Sequence, residues 1–164
     1  MKWYIYAEDN INNTYTMILD HNIQNGYRWA SYLTEYSDSE AKQFVDDLPW
    51  DSAIIEKRLI LINELYSITG VEDGYFDGSP SSGIGTSKYA WLYDYTTSCT
   101  SYGCNVSVDI SNAKAYWTGN KNQSGGMTCV HCVDYSGYYS CRSANDNRTG
   151  IRPVIVVPKS IFAN

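Results

Sequence analysis

Gly150-Ile151-Arg152-Pro153-Val154-Ile155-Val156-Val157-Pro158 is a near-continuous apolar run close to the end of the chain. A strand that lacks polar alternation is one covered on both faces, so this run predicts a central or buried strand. At the other end, Trp3-Tyr4-Ile5-Tyr6-Ala7 and Thr14-Tyr15-Thr16-Met17-Ile18-Leu19 are β-rich runs. They flank the turn-prone Glu8-Asp9-Asn10-Ile11-Asn12-Asn13, which predicts a hairpin. Residues 20–36 have no clean period and read as loop, with room for a short helical turn. Ser37-Asp38-Ser39-Glu40 opens a helix, with Ser37 or Asp38 as cap and Glu40 placed as in a capping box. Ala41, Phe44, Val45 and Leu48 follow at helical spacing, and Pro49 ends the pattern. Ile62, Leu65, Tyr66 and Ile68 mark a second helix, with Asn63 as a candidate cap and Gly70 as its stop.

Residues 70–87 are rich in Gly, Ser, Asp and Pro, too long a stretch for a mere connector. They read either as a disordered excursion or as part of a binding surface. Short β pieces follow at 89–93, 105–108, 115–118, 127–133 and 150–157. A hairpin, two helices and then several strands make an α+β plan. The 164 residues suffice for one domain, 1–164, and not comfortably for two. Strand-like text from the first residues, without a secretory signal, suggests a domain taken from a longer chain.

The net charge of −6, with no basic run, argues against non-specific nucleic-acid binding. No stretch approaches the length of apolar sequence that crosses a bilayer. Tyrosine is the compositional outlier: 16 Tyr and 5 Trp stand against 3 Phe. Recognition surfaces prefer rings with a polar tip, although β-rich proteins favour Tyr as well.

Five cysteines, Cys99, Cys104, Cys129, Cys132 and Cys141, leave at least one unpaired in a monomer. Cys99 and Cys104 are the disulfide candidates. A zinc site from Cys99, Cys104, Cys129 and Cys132, with His131 as a spare ligand, ranks below disulfides or free thiols. In a strand, Cys129 and Cys132 point to opposite faces. No phosphate loop, nucleophile elbow or zinc-protease helix occurs, no catalytic residue is assigned, and no cofactor is expected.

The C-terminal third carries the functional signal. Cys132-Val133-Asp134-Tyr135-Ser136-Gly137-Tyr138-Tyr139-Ser140 reads as strand, turn at Gly137, strand. Cys141-Arg142-Ser143-Ala144-Asn145-Asp146-Asn147-Arg148-Thr149, almost without aliphatics, comes next. The tyrosines offer rigid amphipathic contact and the Ser and Asn residues adaptable hydrogen bonding, as in antibody loops. The expected ligand-binding residues are His131, Asp134, Tyr135, Ser136, Tyr138, Tyr139, Ser140, Arg142, Ser143, Asn145, Asp146 and Asn147. Tyr138 and Tyr139 are both expected to face solvent.

Arg58-Leu59-Ile60-Leu61-Ile62-Asn63-Glu64-Leu65 resembles the Arg-Leu-Pro-Thr-then-acidic helix start of formylglycine-generating-enzyme-like domains. Tyr116-Trp117-Thr118 and Gly150-Ile151-Arg152-Pro153-Val154 resemble the Tyr-Trp-Ser/Thr and Gly-x-Arg landmarks of the same C-type-lectin-like superfamily. The Asn/Ser/Tyr/Asp-rich insert resembles the variable proteins of diversity-generating retroelements and related surface modules. The resemblance implies an α+β C-type-lectin-like fold of small mixed or antiparallel sheets with two helices, its N- and C-terminal strands paired. It implies a ligand-binding or display module rather than an enzyme: a variable protein, an adhesin or a phage receptor-binding domain. Its partner would be a protein or cell-surface ligand, met at a cell surface or on a phage particle, without nucleic acid or membrane insertion. Adenine-directed mutation of Asn codons yields residues such as Asn, Asp, Ser, Tyr, Gly, Cys, Arg, Thr and Ala. Every residue from Asp134 to Thr149 belongs to that set. Calcium-dependent sugar binders of the superfamily carry Glu-Pro-Asn or Gln-Pro-Asp and Trp-Asn-Asp triplets, and neither kind occurs here. Its sulfatase-activating enzymes use a cysteine pair in a copper site. Cys129 or Cys132 with Cys141 is the corresponding alternative, alongside the structural zinc domain.

Overall fold

The computed structural model describes residues 1–76, 88–93, 115–122, 128–134 and 136–163. The expected strand at 105–108, the Cys99/Cys104 pair and Tyr135 lie outside the described residues. Within them the chain is α+β, with two four-stranded sheets and three short helices.

The first sheet is antiparallel, in the order β1 (Trp3–Asp9), β2 (Thr14–Leu19), β8 (Pro153–Pro158), β3 (Glu56–Leu59). The expected hairpin is β1–β2, with a register shift between Ile5 and Ala7. The apolar closing run is central because its alternate residues enter different cores. Val154 packs with Ile18, Ile60 and Leu65 on the inner face. Ile155 and Val157 pack with Met17 on the outer face, covered in part by Trp3, Trp50 and Ile54. Two expectations are corrected here. The last strand pairs with β2 and β3, not with the first strand, although all four share one sheet. The run is also not a single strand: β7 (Thr149–Gly150) belongs to the second sheet and Ile151 bridges to Gln24 before β8 begins.

The second sheet runs β6 (Tyr139–Arg142), β5 (Cys129–Asp134), β4 (Ala115–Asn122), β7. It is mixed, since β4 and β7 are parallel. Its two faces feed two cores. Tyr116, Val133 and Tyr139 join Phe76, Leu92 and Tyr93. Trp117, Val130 and Cys132 join Trp29, Ala41, Val45 and Ile151.

Ser39, neither Ser37 nor Asp38, caps α1 (Glu40–Asp47), its hydroxyl accepting from Lys42 N at 3.0 Å. Ser37 and Asp38 are drawn into a preceding 3-10 turn, Tyr36–Asp38. Helix α2 (Ile62–Thr69) starts at Leu61 and not at Asn63, because the Glu64 carboxylate accepts from Leu61 N at 2.8 Å. The same carboxylate is held by both terminal nitrogens of Arg58, each at 2.7 Å. Such bidentate pairs are among the strongest charge-assisted contacts. Gly70 ends α2 in the left-handed conformation, as expected.

Residues 89–93, expected as strand, instead form the single helical turn α3 (Ala90–Tyr93). The reason lies in Arg152, which is fully buried. Its guanidinium donates to the carbonyls of Leu19 (2.6 Å), Asp20 (3.1 Å), Trp91 (2.6 Å) and Leu92 (2.7 Å). It also lies 5.1 Å from the Tyr116 ring centroid. A helical turn gathers its last carbonyls at one end, where a cation satisfies them. Arg152 thereby ties the end of β2, α3 and the β4 aromatic into one unit. No helix among the described residues is long and apolar enough to cross a membrane.

Candidate functional site

The expected binding tract lies on the β5–β6 hairpin and the loop that follows it. Gly137 makes the turn at φ 76°, a conformation that favours glycine. A Cβ there would also meet the Tyr93 ring at 2.8 Å. The turn fixes which tyrosine faces inward. Tyr138 is 36% exposed and Tyr139 only 4%. The expectation that both face solvent is corrected for Tyr139: successive strand residues alternate faces, and its ring packs at 5.5 Å on Phe76. Its hydroxyl donates to Ile62 O at 3.2 Å. Burial raises its pKa well above the ordinary tyrosine value.

Loop 143–148 is polar yet anchored. Ala144 is buried in the core, and its carbonyl accepts from Trp29 N (2.8 Å) and Ala30 N (3.0 Å). Asp146 N donates to Ser143 O at 2.9 Å. Ion pairs brace both ends. Arg142 bonds Asp134 at 3.1 Å and lies 3.5 Å from Asp146, while Arg148 bonds Asp146 at 2.6 Å. The Asp146 carboxyl is pulled down to about 2, first by the Arg148 side chain, with burial opposing. Asp134 also accepts from the Ser136 amide and hydroxyl, both at 3.1 Å. Asp134, Ser136, Arg142, Asp146 and Arg148 therefore brace the loop, while Ser143, Asn145 and Asn147 are exposed.

His131, Tyr138, Tyr139 and Ser140 line a groove of about 450 Å³ together with Glu72, Asp73, Asn122 and Cys141. Burial lowers the His131 pKa below the usual histidine value, with Asp73 opposing. Glu72, Asp73 and Asn122 were not among the expected residues. The one sequence signal for the first two was the Gly/Asp-rich stretch beginning at Gly70, which left its role open. Arg148 stood inside the polar tract but carried no assigned role.

The described cysteines form one disulfide and one free thiol, in line with the ranking of disulfides or free thiols above zinc, although the pair formed is not the one singled out from the sequence. Cys129 and Cys141 are disulfide-bonded across β5 and β6, with Cα atoms 5.6 Å apart. A crosslink closing so short a loop contributes on the order of 3 kcal/mol in the chain-entropy account. Cys132 is a free thiol on the opposite face, buried and pushed up to about 12 by that burial. Cys129 is thus committed to Cys141, and Cys132 does not converge with it, so these two do not form half of a zinc site. Among the described residues no group of three or more His, Cys, Asp or Glu side chains is arranged to hold a metal ion. Comparison with protein families, with curated proteins and with solved structures finds no match to this chain.

Proposed function

We propose that this chain is a non-enzymatic ligand-binding module of the C-type-lectin-like type, displaying residues 136–148 to a protein or cell-surface ligand. The observation that carries the reading is the anchoring of loop 143–148. A buried Ala144, two backbone bonds to its carbonyl and a chain of ion pairs hold the backbone, while the polar side chains between them project outward. A loop ordered before binding loses less entropy on contact, which is how matured recognition loops gain affinity. The acidic balance favours a protein partner over a nucleic acid.

The C-type-lectin-like reading draws support from several features. The first hairpin and the last strand share a sheet, with β8 beside β2. Arg58 clamps the acidic residue at the start of α2. Arg152, of the Gly-x-Arg landmark, is the buried tie between elements. The Cys129–Cys141 bond fits an oxidising setting such as a cell surface or phage particle.

Within this type, a diversity-generating retroelement variable protein is the form we favour, with adhesins and phage receptor-binding domains as its allies. Deep sequencing of the locus in its source population tests this. The expected result is variation concentrated in codons 136–148, at adenines, with a near-identical template copy beside a reverse transcriptase. Codons for Tyr139, Ala144 and Arg152 stay fixed. Variation spread evenly over the chain, or falling on core codons, would contradict the reading.

A further inference from the structure

The groove beside the hairpin differs in chemistry from the 143–148 loop. We propose that it receives a lysine or arginine side chain of the partner protein, an inference that rests on the ligand-binding reading. Glu72 and Asp73 stand in its wall, both exposed, and no lysine or arginine is among its described lining residues. His131 offsets them little, since burial lowers its pKa below the usual histidine value and so disfavours the charged imidazole, with Asp73 opposing. On the hairpin side, Tyr138 is held edge-to-face against Tyr75, ring centroids 4.8 Å apart. Carboxylates and a fixed aromatic ring that line one groove suit a cationic group, and most of all a planar guanidinium, which both pairs with carboxylates and stacks on rings.

The groove is formed in advance of any ligand. Tyr75 and Tyr138 make a β-bridge, Phe76 N donates to Gly137 O and Tyr139 N donates to Gly74 O, both at 2.9 Å. A volume of about 450 Å³ admits one long side chain and lies within the range of small-molecule pockets. Competing occupants fit less well. An anionic group meets two carboxylates. An apolar group would strip them of water without a hydrogen bond in return. A metal ion would need ligands converging on one point, and these residues are not so arranged. The net charge of −6 adds a long-range attraction for a basic partner.

The test is a titration of isotope-labelled protein with capped hexaarginine, hexalysine and hexaglutamate peptides, followed by NMR. Hexaarginine is expected to shift the His131 and Tyr138 signals saturably, hexalysine more weakly, and hexaglutamate not at all. Glu72→Gln with Asp73→Asn should weaken hexaarginine binding about tenfold or more. Asp38→Asn with Asp47→Asn removes the same charge from exposed positions around α1, outside the groove, and should change it less than about twofold. Equal weakening by both double variants, shifts centred elsewhere, or no shift at all would overturn the inference. These failures leave the broader reading standing, because that reading falls only if the loop is part of the core.

Discussion

Arg152→Met is expected to lower stability by on the order of 4 kcal/mol and the melting temperature by roughly 10 °C. The substitution keeps most of the apolar stem but removes every donor. Four carbonyls, of Leu19, Asp20, Trp91 and Leu92, then lose a partner in the interior. A buried acceptor without a partner costs about 1 kcal/mol or more. Relief from burying a charge offsets part of this, which is why the expected loss is not larger. Arg152→Lys should recover little, because a single ammonium cannot reach carbonyls spread over β2 and α3. Chemical denaturation of the three proteins checks the ranking. An Arg152→Met protein as stable as the parent would show that the guanidinium does not hold the elements together.

Tyr139→Ala is the second large effect, at about 3–5 kcal/mol, the usual range for removing a buried ring. The ring sits among Phe76, Tyr93, Tyr116 and Val133, and its loss leaves a cavity at the junction of the 72–75 turn and the second sheet. Tyr139→Phe removes only the hydroxyl bond to Ile62 O and should cost about 1 kcal/mol. Tyr138→Ala, one residue away but exposed, should cost less than about 1 kcal/mol. Thermal melts of the three variants read the difference directly. Equal losses at 138 and 139 would mean that the turn at Gly137 does not fix the inward face.

Why one tyrosine is core and its neighbour surface was hidden in the sequence for a physical reason. Tyr138 and Tyr139 are chemically identical, and only strand register assigns their faces. That register is set by the left-handed turn at Gly137 and by pairing with β5, where Tyr139 lies opposite Val133. The disulfide was concealed likewise, since Cys129 and Cys141 meet only once β5 and β6 pair. Elements governed by local chemistry were legible: the β1–β2 hairpin, the periodic face of α1, the glycine stop of α2 and the central place of the apolar run. Tyr89-Ala90-Trp91-Leu92-Tyr93 was not, because aromatic residues favour strands while Arg152, some sixty residues away, calls for a cluster of carbonyls. Ser37, Asp38 and Ser39 are all competent caps, and the choice among them depends on a preceding turn that the helical pattern does not encode. For the site, composition marked out the polar tract, but not the division between residues that brace the loop and residues that face outward.

That division is the central claim, and one variant tests it: Tyr138→Ala, Ser143→Ala, Asn145→Ala and Asn147→Ala combined, with its unfolding followed by calorimetry. The account predicts a single cooperative transition and a total loss of no more than about 2 kcal/mol, since each change falls on an exposed side chain. A broad or absent transition, or a loss matching that of Tyr139→Ala, would show that these side chains hold the fold together instead of being displayed by it.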